Sequence, residues 1–198
     1  MHDQDDVSRM LRVKEGDTAA FEELVERHRD RVLGLVYRYV RDRAEAEDLA
    51  QDVFLNVFKA RETYRPDARF TTWLYRIATN LCLNALRSKR VRRVVKTLAP
   101  VDGEESSRPI EDLADPSPAP AGEALEKREL ASRVREIVDE LPESQRTAVL
   151  LNKYEDRSYV EISEIMGLSI PAVKSLLSRA RMRIKERLLP YLQSERVI

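Results

Sequence analysis

Residues 158–188, SYVEISEIMGLSIPAVKSLLSRARMRIKERL, decide how the C-terminal part of the chain folds. Ser158-Tyr159-Val160-Glu161 is a capping box, in which the serine closes a first helical turn and Glu161 reaches back to it. The helix carries Val160, Ile162 and Ile165, with Met166 at its end. It stops at Gly167, which can take the left-handed conformation after a helix. Ser169 caps a second helix and Pro171 is tolerated in its first turn. That helix turns Val173, Leu176, Leu177, Ala180 and Ile184 inward and Ala172, Lys174, Ser175, Ser178, Arg179 and Arg181 outward. Two helices around a glycine turn, the second one basic, make a helix-turn-helix. In that motif the second helix enters the major groove of DNA, its N-terminal half on the base edges. Lys174 and Arg179 can donate to guanine, and Ser175 and Ser178 are short enough for close approach. Arg181, Arg183 and Lys185 suit phosphates, which position the domain without reading sequence. The plainer alternative is a helical hairpin with a basic surface. Caps, glycine, core spacing and charge coincide here, which favours DNA.

Charge is segregated over the rest of the chain. The 198 residues hold 35 Lys+Arg and 35 Asp+Glu, yet Ala68–Val101 has eight basic residues and no acidic one. Asp102–Glu129 has nine acidic residues against three basic, and Pro171–Arg187 has six basic against Glu186 alone. Two basic blocks flanking an acidic stretch point to two contact surfaces for a polyanion. Pro100, Pro109, Pro116, Pro118 and Pro120 lie in or beside the acidic stretch, where proline blocks helix continuation and low hydrophobicity prevents a core. Residues 96–124 therefore read as an extended acidic, Pro-rich linker.

Upstream of it the pattern is helical. Asp17 is a plausible N-cap before Phe21, Leu24, Val25, His28, Val32, Leu35, Val36 and Tyr39, which recur at three and four. A second helix near 44–60 places Ala46, Ala50, Phe54 and Phe58 on one stripe, opposite Glu45, Asp48, Gln51, Asp52 and Asn56. A third, from Thr71 to about Arg93, buries Phe70, Leu74, Ile77, Ala78, Leu81 and Ala85. No stretch alternates as a strand does, so the fold class is all-α with two helical domains.

Composition restricts chemistry. One cysteine and two histidines leave no disulfide framework and no zinc site, and five scattered glycines make no phosphate-cradling loop. Neither a nucleophilic dyad nor a cofactor motif stands out, so an enzyme is not expected. Cys82 reads as a small buried hydrophobe. No apolar run is long enough to span a membrane, and the acidic start MHDQDD does not read as a signal peptide. A cytoplasmic protein is the expectation.

Three stretches carry a resemblance. LPESQRTAVLLNKYEDRSYVEISEIMGLSIPAVKSLLSRARMRIKERL resembles sigma domain four of the extracytoplasmic-function (ECF) RNA polymerase sigma factors. AFEELVERHRDRVLGLVYRYVRDRAEAEDLAQDVFLNVFKA and FTTWLYRIATNLCLNALRSKR are similar to sigma domain two of that family. The likeness covers about residues 17–93 and 125–190. Two positions depart from it: Ser163, where alanine is frequent, and Leu176, where arginine is frequent.

The resemblance implies a division of labour. Residues 1–16 would be a tail, 17–95 sigma domain two, 96–124 the linker, 125–193 sigma domain four and 194–198 a second tail. The Asp48–Phe54 segment corresponds to the docking surface for the β′ clamp helices of core RNA polymerase, with Asp48, Gln51 and Asp52 as a polar ridge beside Leu55 and Asn56. Read without the resemblance, that ridge is a solvated acidic face.

The third helix and the loop before it correspond to the element that reads and opens the −10 region. Holding an unstacked strand requires stacking groups beside phosphate-neutralising charge. Tyr64, Trp73 and Tyr75 are the aromatic candidates, Asn80 and Asn84 the base readers, and Arg65, Arg69, Arg76, Arg87 and Arg90 the phosphate partners, with Thr72 near the same face. A core role for Trp73 is the equal alternative. Domain four would read the −35 element through Ala172, Lys174, Ser175, Ser178, Arg179, Arg181 and Arg183.

Expected partners are core RNA polymerase (β′ and β subunits), promoter DNA and an anti-sigma factor. No cofactor, metal or membrane insertion is expected. The linker would enter the polymerase cleft or serve as a plain tether. Two other readings compete: a free-standing dimeric helix-turn-helix regulator, and a helical enzyme acting on nucleic acid.

Overall fold

The structure is a computed structural model that describes residues 2–97 and 121–194, with side chains over 4–92 and 128–193. All regular elements among the described residues are helices: α1 (His2–Lys14), α2 (Thr18–Val40), α3 (Arg43–Lys59), a 3₁₀ turn (Arg61–Thr63), α4 (Phe70–Thr97), α5 (Ala121–Asp139), α6 (Glu143–Lys153), α7 (Tyr159–Met166) and α8 (Ile170–Ser194). They form two compact units. The first contains α1–α4; the second contains α5, α6, α8 and the start of α7 through Ser163.

In the first unit, local chemistry starts and stops the helices. The Asp17 carboxylate accepts from the Ala20 backbone N–H at 3.0 Å and opens α2. Arg41, left-handed at φ 59°, ends α2 by donating its N–H to Tyr37 O. One residue later Asp42 caps α3 by accepting from Glu45 N–H at 2.8 Å. Ala20, Leu24, His28, Val32, Leu35, Val36 and Tyr39 of α2 are buried, as are Ala46, Ala50, Val53, Phe54 and Val57 of α3. α4 adds Phe70, Leu74, Tyr75, Ala78 and Cys82 to this core. Helix stability here comes from packed apolar stripes rather than from intrinsic propensity.

Residues 1–16, expected as a tail, instead contain α1, whose Met10 and Val13 are fully buried. Val7, Met10, Leu11 and Val13 are the apolar residues of α1 and none precedes Val7, so the periodic signal is short and the helix depends on what α2 offers it.

In the second unit, Ser158 and Glu161 form the capping box: Ser158 N–H donates to Glu161 Oε2 at 2.8 Å and Glu161 N–H to Ser158 Oγ at 3.3 Å. Gly167 ends α7 at φ 65°, where Leu168 N–H bonds back to Ser163 O. Ser169 accepts from Val173 N–H through its carbonyl and from Ala172 N–H through its hydroxyl at the start of α8. Ile162, Ile165, Val173, Leu177 and Ala180 are buried. Val160 sits 53% exposed. On the helical wheel it lies roughly half a turn from the Ile162–Ile165 seam, on the outer side of α7. α5 and α6 complete the unit through Ile137, Val138, Leu141 and the run Ala148–Leu151.

Most of the proposed linker, residues 98–120, lies outside the described residues; residues 96–97 belong to α4 and 121–124 to α5. Of the C-terminal tail, Ser194 ends α8 and 195–198 lie outside the described residues.

Candidate polymerase and nucleic-acid interfaces

On α3, the positions 48, 51, 52 and 55 follow the i, i+3, i+4, i+7 spacing of one helix stripe. Asp48, Gln51, Asp52 and Leu55 are all exposed, and Leu55 keeps 53% of its surface. Asn56 is half-buried and its amide donates one N–H to Asp52 O at 2.7 Å, which leaves its second N–H and its carbonyl oxygen for other partners. The surface combines two carboxylates with an uncovered leucine. It can take arginine or lysine by charge-assisted hydrogen bonds and an apolar group at its end.

On α4, Arg76, Asn80, Asn84 and Arg87 recur at four, four and three, and each is exposed. With Arg90 the row is about 21 Å long at 1.5 Å per residue. Arg65 and Arg69 are exposed on the loop that precedes α4. Val91 was missed: it is 62% exposed and falls on the Arg76–Asn84 stripe, as a helical wheel of the same residues would have shown. Lys89 is less available than its block implied, because it pairs with Glu45 of α3.

The aromatic expectations need correction. Tyr64 and Tyr75 are each 1% exposed and Thr72 4%, so none of the three presents a face to a base. Tyr64 and Tyr75 are apolar enough to be drawn into the core, where they cover more area than any surface contact would. Trp73 is half-buried, with its ring 5.0 Å from Tyr64 and 6.2 Å from Phe70. Part of its surface is thus spent on that aromatic cluster and part stays accessible. Upstream, the Arg61 guanidinium lies 4.3 Å over the Phe58 ring and donates to Phe58 O, stiffening the exit from α3.

On α8, Lys174, Ser175, Ser178, Arg179, Arg181 and Arg183 are exposed and Ala172 is half-buried. Arg181 donates to the Tyr159 hydroxyl at 3.1 Å, which ties α8 to α7 and fixes the direction of that guanidinium. Among the described residues, no group of His, Cys, Asp and Glu could hold a metal ion, and no helix is long and apolar enough to cross a membrane.

The geometry is that of a two-part helical protein with an exposed carboxylate-bearing stripe on α3, a basic asparagine-bearing α4 and a basic helix-turn-helix. The sigma-70 region 2 family matches residues 24–97 and the sigma-70 region 4 family residues 131–184. The RNA polymerase sigma-H factor of Pseudomonas aeruginosa is 35% identical over 92% of this chain and 93% of its own length. The ECF RNA polymerase sigma factor SigW of Bacillus subtilis is 31% identical over 91% of this chain and 95% of its own. In fold, the chain is similar to CnrH, solved in complex with the cytosolic domain of CnrY (TM-score 0.67, 22% identity, 93% of this chain and 97% of that one). It is similar also to RpoE of Bartonella quintana, solved with the anti-sigma factor NepR (TM-score 0.63, 22% identity, 85% and 96%).

The chain belongs to the ECF RNA polymerase sigma factors. It directs core RNA polymerase to promoter DNA, and the free-standing dimeric regulator finds no support.

Proposed function

We propose that the three surfaces divide the work of initiation. The α3 stripe of Asp48, Gln51, Asp52, Leu55 and Asn56 docks on the β′ clamp helices. The loop Arg65–Arg69 and the α4 row of Arg76, Asn80, Asn84, Arg87 and Arg90 read the −10 element and hold its melted strand. The α8 face from Ala172 to Arg183 reads the −35 element as duplex. In this reading residues 17–95 act as domain two and 125–193 as domain four, with 96–124 between them; α1 enlarges domain two on its N-terminal side. The chain has no catalytic activity of its own, works in the cytoplasm and is held in check by an anti-sigma factor. Two modest DNA contacts joined on one scaffold gain from effective concentration rather than from a single tight site.

The observation that carries the reading is the separation of sign between two stripes of one unit: the α3 stripe exposes Asp48, Asp52 and Leu55, whereas the α4 row exposes arginines and asparagines. One helix thus suits a basic protein surface and the other a polyanion. Run-off transcription with core polymerase on a genomic fragment library tests it. Specific transcripts are expected only when the chain is supplied. The double variant Asn80→Ala/Asn84→Ala should keep core affinity and lose −10 discrimination. Transcription independent of the chain, or unaltered −10 preference in that variant, would refute the assignment.

A further inference from the structure

Asp6 of α1 is a carboxylate with only 2% of its side chain exposed. A charge so placed persists only with partners, and α2 supplies two. Arg27 donates to Oδ1 at 3.0 Å and His28 Nε2 donates to Oδ2 at 2.9 Å. Since a carboxylate accepts only, the shared proton sits on Nε2 and the plane of the imidazole is set from α1. The His28 ring lies 5.4 Å from Phe70, the first residue of α4. Phe70 in turn lies 6.3 Å from Tyr64, and Tyr64 lies 5.0 Å from Trp73.

Tyr64 and Phe70 are the two stems of the loop that exposes Arg65 and Arg69. One aromatic cluster therefore grips both ends of that loop, and His28 is the member anchored outside it. A second contact runs the same way, from Lys14 Nζ of α1 to Tyr64 O at 3.4 Å. Core filling alone would be met by a leucine or phenylalanine at position 28. The hydrogen bond to a buried carboxylate adds what those cannot, a fixed ring orientation.

We propose that His28, oriented by Asp6, is a positioning residue for capture of the melted −10 strand, and that α1 is thereby a working part of the −10 apparatus. The inference rests on the assignment of the Arg65–Arg69 loop to that strand. Coupling through packed networks of this kind changes binding by about three- to thirtyfold.

The test uses holoenzyme assembled from the full chain and core polymerase. Three affinities are measured: for core, for a −35 duplex, and for a single-stranded oligonucleotide carrying the −10 sequence of a promoter recovered by run-off transcription. His28→Ala should weaken the single-strand affinity about three- to thirtyfold and leave the other two within twofold. His28→Gln keeps a hydrogen bond to Asp6 but drops the ring contact; it serves if the alanine variant does not fold, and the same loss is expected. Asp6→Asn, which retains an acceptor for His28, should stay within threefold of the parent. Arg65→Ala reports on the loop itself. If Arg65→Ala loses single-strand affinity while both His28 variants keep it, the inference is overturned and the loop assignment stands. If Arg65→Ala also has no effect, both fall. Equal losses in all three affinities would mark His28 as a general fold residue and overturn the positioning role.

Discussion

Leu55 offers a direct test of the docking role proposed for the α3 stripe. Full burial of a leucine is worth about 1.5–3 kcal/mol, and 53% of this one remains uncovered in the free chain. A partner that covers the remainder gains about 0.8–1.6 kcal/mol, so Leu55→Ala should raise the dissociation constant for core polymerase about four- to fourteenfold. The part already buried is of similar size, and its loss should lower the melting temperature by about 2–4 °C for a chain this long. Competition titration of labelled parent chain from core gives the affinity, and thermal unfolding of the free variant gives the second figure. Run-off yield should recover at saturating variant, because the proposed placement makes the contact on docking and not during strand opening. Affinity within twofold of the parent in a folded variant would refute the placement of Leu55 in the interface. A yield that stays low at saturation would instead place it in a later step.

Other surfaces give equally definite outcomes. Gly167→Ala puts a side chain at φ 65°; no atom lies within 4 Å of the new Cβ, so the cost is conformational alone, about 1–2 kcal/mol. Urea unfolding followed in the second unit should show that decrease. Arg183→Ala should weaken −35 duplex binding alike for all sequences and reduce the log–log salt slope by about one, whereas Lys174→Ala should alter sequence preference; titrations of holoenzyme at several salt concentrations separate the two. Burial holds the His28 imidazole below its ordinary value of 6.5, against the opposing pull of Asp6. Between the folded and ordinary values the unfolded chain binds more protons, so this contribution is complete above 6.5 and declines as pH falls through the folded value. Stability measured from pH 7.5 downward should fall less steeply in His28→Gln than in the parent.

What could be read without a structure was local. The Ser158–Glu161 box, the Gly167 stop and the Asp17 cap each involve groups within a few residues of one another, and all three appear with the expected hydrogen bonds or backbone angle. The α3 stripe and the Arg76–Asn80–Asn84–Arg87 row were likewise legible, since helical periodicity alone puts them on a face. Exposure of the aromatic residues was not. Tyr64, Trp73 and Tyr75 carry both an apolar body and a stacking face, and residue type does not say which is used. Val160 differs: its spacing from Ile162 and Ile165 puts it on the far side of α7, so helical periodicity alone accounts for its exposure.

The linear order of residues by itself determined an all-α chain, its caps, its charge segregation and the two family regions, because each depends on contacts along the chain. Only the folded arrangement decided that α1 belongs to the first unit and that Tyr64 and Phe70 close the loop between them. The buried Asp6 finds its partners 21 and 22 residues away on α2. A charge placed that early in the chain reads as a solvated group until another helix brings Arg27 and His28 against it.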